Sequence, residues 1–261
     1  NGCRKMIAKE ELNILWSLEQ TAEKYADRVA VSDVDQELTW KELVKNAQVI
    51  GAELSEKVQP GNPVPVLLEK STETLAVMLG IVYAGCFYVP VNPMNPAERL
   101  RKIMEKLEPE VIISDEKGKE QLAAVGNGLE NKVMGPEALT TATGTELSEE
   151  QYSRLEQIQG QWKETDVLYG IFTSGSTGTP KAIVVSHGAA SRFIRHFTEI
   201  FEITSADVIG NQAPFDFDVS VKDIYSSIMT GAQLVLIPKE YFSTPPRLLD
   251  YLCDKKVTNL T

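Results

Sequence analysis

The residues best suited to chemistry lie in Thr173-Ser174-Gly175-Ser176-Thr177-Gly178-Thr179-Pro180-Lys181, a run of hydroxyls broken by two glycines and closed by a lysine. Glycine lets a backbone bend tightly and approach a ligand, so that amide N–H groups can turn inward on an anion. The hydroxyls add donors, and Lys181 adds a compact positive charge. Such a loop suits the phosphate chain of a nucleotide. It departs from the P-loop, which sets four residues between a first Gly and a Gly-Lys-Ser/Thr; here Thr179-Pro180 separate Gly178 from Lys181. Both flanks, 168–172 and 182–185, are apolar and strand-like, which places the loop between two β-strands and away from any helix N-terminus. A Gly/Ser surface hairpin that binds nothing is the competing reading.

A second set of candidates follows in Ala213-Pro214-Phe215-Asp216-Phe217-Asp218-Val219-Ser220-Val221-Lys222-Asp223-Ile224-Tyr225. Val221, Ile224, Tyr225 and Ile228 share one helical face, so a helix starts near Asp218, closes at Gly231 and leads to a strand over 234–237. Asp218 then sits in the first turn with Lys222 one turn on, on the same side. Read locally, this is an N-capping aspartate with a surface ion pair worth a few tenths of a kcal/mol.

The order TSGSTGTPK, with His187 six residues beyond Lys181, resembles the phosphate-binding motif of the adenylate-forming enzymes. These are the acyl- and aryl-CoA synthetases, luciferases and adenylation domains of nonribosomal peptide synthetases. One departure is Ala182, where the family generally has Gly. LTWKEL (38–43) and YAGCFYVPVNP (83–93) are similar to two further family segments, although Tyr83 replaces a lysine; both read physically as cap and core, without chemistry. Phe217-Asp218-Val219-Ser220 resembles the Phe-Asp-x-Ser element of the amino-acid-activating members, whose aspartate pairs with the substrate α-ammonium. A cation taken into a pocket needs a fixed carboxylate partner. Asp218, and not Asp216, has the matching spacing to Ser220.

The resemblance implies ATP and Mg²⁺, an amino acid substrate and a phosphopantetheinyl carrier protein or domain as acceptor. It assigns Thr173, Ser174, Gly175, Ser176, Thr177, Gly178 and Lys181 to the β- and γ-phosphates, and Phe217, Asp218 and Lys222 to the substrate. An ammonium at Lys222 suits an acidic or strongly polar side chain, unless Asp223 neutralises it and leaves it outward. No residue is assigned as catalytic and none as a metal ligand. Family elements expected further on (a Thr-Glu pair for Mg²⁺, a ribose-binding aspartate, a hinge and a catalytic lysine) have no match up to Thr261. The expectation is therefore the N-terminal part of an enzyme, inactive without its C-terminal part. An acyl- or aryl-CoA ligase, a D-alanine carrier-protein ligase and a non-catalytic nucleotide-binding fragment are the alternatives.

The elements that must position these residues alternate. Helical spacing runs through Leu15, Leu18, Ala22 and Tyr25, then a strand covers 29–31 and Asp33-Val34-Asp35 turns it. Thr39 and Glu42 form a capping-box pattern ahead of a stripe of Leu43, Ala47, Ile50 and Leu54, which Pro60-Gly61 closes. A strand over 64–68, a helix from N-cap Ser71 to Ala84, a strand over 88–91, a helix from Asn95-Pro96 with core residues Leu100, Ile103, Met104 and Leu107, and a strand over 111–113 follow. This rhythm predicts an α/β fold of doubly wound, mostly parallel sheets with flanking helices, and the resemblance makes it part of the large N-terminal domain of an adenylate-forming enzyme.

The division expected is a first α/β subdomain over 1–114, a surface connection over 115–163 with one or two short helices near 148–159, and a second α/β subdomain over 164–261. In that last part Ala190, Phe193, Ile194, Phe197, Ile200 and Phe201 mark an amphipathic helix whose aromatic stripe reads as core. Thr244-Pro245 opens a helix with face Leu248, Leu249 and Leu252, and 257–261 reads as a strand.

The chain has 261 residues, 43% of them hydrophobic, enough for a substantial core. Its net charge of −11 argues against nucleic acid or an anionic membrane as partner. It also requires an ATP site to build positive potential locally. Cys3, Cys86 and Cys253 have neither disulfide-framework nor zinc spacing, and His187 and His196 stand nine apart. With no signal peptide or transmembrane run, the expected location is cytoplasmic.

Overall fold

Alternation of strand and helix persists through the structure, a computed structural model that describes residues 10–140, 146–173 and 180–260. Helix α1 (Ile14–Tyr25) leads to β1 (Val29–Ser32), β2 (Glu37–Thr39) and α2 (Trp40–Ser55). Then come β3 (Pro63–Leu67), α3 (Thr72–Tyr83), β4 (Phe87–Pro90), α4 (Ala97–Leu107), β5 (Ile112–Ser114), α5 (Glu116–Val125), β6 (Val133–Met134), α6 (Pro136–Thr140) and α7 (Glu149–Gly160). The remainder is β7 (Val167–Thr173), β8 (Lys181–Ser186), α8 (His187–Ile200), β9 (Val208–Asn211), α9 (Val219–Thr230), β10 (Gln233–Leu236), α10 (Pro245–Asp254) and β11 (Asn259–Leu260).

The strands form two sheets. One has the order β11-β9-β10-β1-β2 and the other β6-β5-β3-β4-β7-β8. Among the described residues the pairs β1·β2 and β7·β8 are antiparallel and the other pairs parallel. Neither sheet is drawn from one contiguous stretch of chain, since β1 pairs with β10 and β4 with β7. Parallel strands buried on both faces must be apolar throughout, and β3, β4 and β10 are largely so.

Local signals set the helix starts. Thr39 Oγ1 accepts from the Glu42 N–H while the Glu42 carboxylate accepts from the Thr39 N–H, the reciprocal capping box. Ser71 Oγ accepts from the Thr74 N–H at 3.1 Å. Leu43, Ala47, Ile50 and Leu54 are all buried. Helix α2 nevertheless ends at Ser55, before the expected Pro60-Gly61 stop, and the short strand β2 precedes it.

Two expectations change. Residues 115–163, expected as a surface connection, do carry a helix where one was expected near 148–159 (α7), but they also carry α5 and the edge strand β6 and bury Leu122, Leu129, Leu139 and Leu155. These leucines are spaced too widely for periodicity to register. The aromatic stripe of α8 is the second correction: Ala190 and Ile194 are buried, but Phe193 and Phe201 are more than half exposed. The three phenylalanines contact one another with tilted rings along the helix, Phe193–Phe197 at 6.0 Å and Phe197–Phe201 at 4.5 Å between ring centres. On α10, Leu249 likewise faces outward.

Helices α2 and α3 pack closely, and glycine permits it. A Cβ on Gly51 would lie 2.5 Å from Tyr83 Cβ and 2.9 Å from the Gly80 carbonyl oxygen, and one on Gly80 would run into Ile50. Alanine is favoured over glycine inside a helix by about 1 kcal/mol, but forcing a methyl into a filled core costs typically about 1–3 kcal/mol. We expect Gly51→Ala to be destabilising in urea unfolding despite its better propensity. A stabilised variant would contradict this packing.

Candidate functional site

Strands β7 and β8 pair as a hairpin whose last register pair is Thr173 with Lys181, so these two residues face each other at the mouth of the intervening loop. Ser174, Gly175, Ser176, Thr177, Gly178 and Thr179 lie outside the described residues. Because β7 runs parallel to β4, the loop leaves the sheet at the carboxyl end of β7, the end at which open α/β sheets bind ligands. Thr173 and Lys181 are both exposed. The Lys106 ammonium, from α4, donates to the Pro180 carbonyl at 3.3 Å beside the lysine.

The second group of candidates lies between β9 and α9. The chain leaves β9 at Asn211 and turns through Pro214 to Phe217, whose N–H donates to the Pro214 carbonyl at 3.1 Å. Buried Ser220 then locks the turn: its Oγ donates to the Phe217 carbonyl at 2.7 Å, and its N–H to the same oxygen at 3.0 Å. This gives a physical reason for the serine two residues after Asp218. Asp218 occupies the N-cap position of α9, but its side chain makes no capping hydrogen bond, contrary to the purely local reading. Phe217 and Asp218 are exposed, whereas Asp216 is drawn inward, and burial raises its carboxyl above the ordinary range.

Lys222 is turned inward, with 14% of its side chain exposed, and its Nζ lies 2.6 Å from Asp223 Oδ1. The expected neutralisation by Asp223 is thus present, but the pair is buried and the lysine does not point outward. Asp223 Oδ2 also accepts from Asn211 Nδ2 at 3.0 Å.

Tyrosines connect the two groups. Tyr169 on β7 stacks on Tyr88 of β4 at 5.9 Å, and the Tyr88 hydroxyl meets the Tyr225 hydroxyl of α9 at 2.5 Å. Burial pushes the Tyr169 phenol up to about 12, and the negative charge of Asp218 acts in the same direction. Strand β7 therefore carries the phosphate-loop candidate at its end and, four residues earlier, a side chain within electrostatic reach of Asp218. Spacing gave no sign of these tyrosines, which read as ordinary strand and helix core.

A cavity of about 600 Å³ opens at the carboxyl ends of strands from both sheets, with Asp33, Lys70, Asn92, Asp216, Glu240 and Arg247 in its wall. Among the described residues no group of three or more His, Cys, Asp or Glu could hold a metal ion. None of the helices among them is long and apolar enough to cross a membrane.

His187 is buried at the start of α8. Its Nδ1 accepts from the Ile14 N–H at 3.4 Å, and its ring meets Trp162 edge-on at 5.8 Å. It thus joins α8 to α1, at the opposite end of β8 from the loop mouth.

A family model described as AMP-binding enzyme matches residues 18–261. A mycosubtilin synthase polypeptide of Bacillus subtilis is 32% identical over 243 residues, covering 93% of this chain and 9% of that protein. Tyrocidine synthase 1 of Brevibacillus parabrevis is 29% identical over 244 residues, covering 93% and 21%. The chain thus spans a small part of the length of the curated relatives it matches. Among solved structures, the AMPPNP-bound form of the nonribosomal peptide synthetase FmoA3 is similar with a TM-score of 0.80 at 25% identity, over 99% of this chain and 26% of that one. VinN in complex with 3-methylaspartate gives 0.78 at 22% identity, over 95% and 65%, a likeness of fold.

Burial lowers the His187 imidazole from 6.5 to about 4. The unfolded chain therefore takes up a proton first as pH falls. The stability this contributes is fully present above pH 6.5 and is lost as pH drops toward 4, on the order of 3 kcal/mol in all. His187→Gln is expected to remove that part of the acid sensitivity in urea unfolding. Parallel curves for wild type and variant would contradict it.

Proposed function

The chain belongs to the AMP-binding enzyme family, and on that premise we propose that it forms the ATP- and substrate-gripping part of an amino acid adenylating ligase. In the reaction, a carboxylate oxygen of the amino acid attacks the α-phosphorus of ATP. The bond from that phosphorus to its bridging oxygen breaks, and pyrophosphate leaves with the electron pair. The product is an aminoacyl adenylate. A phosphopantetheine thiol of a carrier protein or domain then attacks the acyl carbon, AMP departs and a thioester forms. The protein's part in such a transfer is positioning and charge neutralisation.

Thr173 to Gly178 and Lys181 hold the β- and γ-phosphates and the departing pyrophosphate, and Asp218 pairs with the substrate α-ammonium beside Phe217. The observation that carries this reading is the placement of Asp218. It stands at the start of α9 with no capping bond to hold it, and its charge acts on Tyr169 of the strand that ends in the loop. An acyl- or aryl-CoA ligase has no amine to offer this carboxylate. Mg²⁺ accompanies ATP in the proposed reaction; no group of three or more His, Cys, Asp or Glu among the described residues could hold it, and no step is assigned to it.

Lys222 bears on the side chain of the amino acid. Its inward ammonium, one helical turn beyond Asp218, is held by Asp223, and the reading is that an acidic or strongly polar substrate side chain shares it with that carboxylate. The complexes of VinN with 3-methylaspartate and L-aspartate are of like chemistry. Pyrophosphate exchange by the complete gene product with a panel of amino acids tests this: aspartate or glutamate should lead, and preference for leucine or alanine would end it.

Two variants of the complete gene product separate the roles. Asp218→Asn should raise KM for the amino acid by about 30-fold or more, the equivalent of roughly 2 kcal/mol for unpairing the substrate ammonium from a carboxylate that the bound substrate shields from water, with KM for ATP little changed. Lys181→Ala should do the reverse, raising KM for ATP by about tenfold or more through loss of a charged hydrogen bond. Unchanged kinetics in both would refute the proposal.

A further inference from the structure

One ammonium joins the proposed substrate segment to the opposite sheet. Lys70 lies in the loop between β3 and α3, three residues beyond the end of β3 in the six-stranded sheet. Its Nζ donates toward Asn211 O at 3.0 Å, Asn211 Oδ1 at 3.3 Å, Gln212 O at 3.2 Å and Ala213 O at 3.4 Å. Those oxygens lie where the chain leaves β9 of the five-stranded sheet, directly ahead of Pro214 to Asp218. Three successive carbonyl dipoles converging on one point repel one another unless a cation stands there. The ammonium supplies it, and its three protons are shared among the four oxygens.

The bonding continues inward. Asn211, fully buried, donates its amide to Asp223, and Asp223 accepts from Lys222. A chain of hydrogen bonds thus runs Lys70–Asn211–Asp223–Lys222, from one sheet to the helix that starts at Asp218. We infer that Lys70 is a positioning residue: by clamping the carbonyls of residues 211–213 it sets where Asp218 and Lys222 stand relative to the six-stranded sheet that carries the phosphate loop. The inference rests on the reading that Asp218 holds the amino acid.

The charge of the clamp is sensitive to its setting. Burial lowers the Lys70 ammonium to about 8, while Asp223 on α9 and Glu240 after β10 act to raise it. Asp33 and Asp35 from the β1–β2 turn, Glu69, and Asp216 share the cavity wall with it, as do Lys239 and Arg247. An arginine at this position keeps its charge at any pH at which the protein is folded.

The test uses pyrophosphate exchange by the complete gene product with whichever amino acid leads the panel above. In Lys70→Met the amino acid KM should rise tenfold or more while the ATP KM stays within twofold, and Lys70→Arg should restore most of the loss. In the wild type the amino acid KM should also climb between pH 7 and 9 more steeply than in Lys70→Arg; titration of the substrate's own amine is common to both. Should Lys70→Met not fold, that pH comparison decides. Equal losses for amino acid and ATP, superimposable pH profiles, or failure of both variants to fold would overturn the inference. Asp218→Asn separates the two levels: if it leaves the amino acid KM unchanged, the substrate reading itself falls; if it responds and Lys70→Met does not, only the positioning role falls.

Discussion

Helix α9 has to touch both sheets at once, and the contact that sets its place is a pair of buried hydroxyls. Tyr88 and Tyr225 are essentially inaccessible, and their oxygens stand 2.5 Å apart. A buried hydroxyl without a partner is costly, and here each of the two tyrosines answers the other. The bond therefore selects one depth and one rotation of α9 against β4. Tyr169, stacked on the same Tyr88 ring, brings β7 into register with that choice. The start of α9 and the end of β7 are thus positioned by one cluster of three aromatic rings.

Charge is distributed in keeping with this frame. A chain with a net charge of −11 has no general positive field to offer a polyphosphate. Its cations are instead committed one at a time. Lys70 and Lys222 are turned inward and bonded to protein oxygens, where they organise the backbone and helix around Asp218. Lys181 remains exposed at the hairpin mouth, and Lys106 reaches the carbonyl beside it. Inward and outward lysines thus have different physical work, one set building geometry and the other presenting charge.

Much of the framework was legible residue by residue. The Thr39–Glu42 box, the Ser71 cap and the stripe of Leu43, Ala47, Ile50 and Leu54 all act within a few turns of chain, and each is found as expected. The strands on either side of the glycine loop were equally plain from their apolar runs. The stripe Phe193, Phe197 and Phe201 shows where this kind of reasoning stops. Periodicity marks a face of a helix, but cover for that face must come from another element, and Phe193 and Phe201 stay more than half exposed.

By itself, then, the sequence determined what depends on near neighbours: where helices begin, where strands lie, and which loop has the composition to meet an anion. Only the tertiary structure decided that Lys222 is an inward, paired lysine and that Asp218 stands at a helix start without capping it. It alone joined Lys70 to Asn211 across 141 positions and Tyr88 to Tyr225 across 137. The physical reason is that burial and charge pairing are properties of a shared volume. The groups that fill such a volume arrive from strands far apart in the chain, and no spacing along the sequence records their meeting.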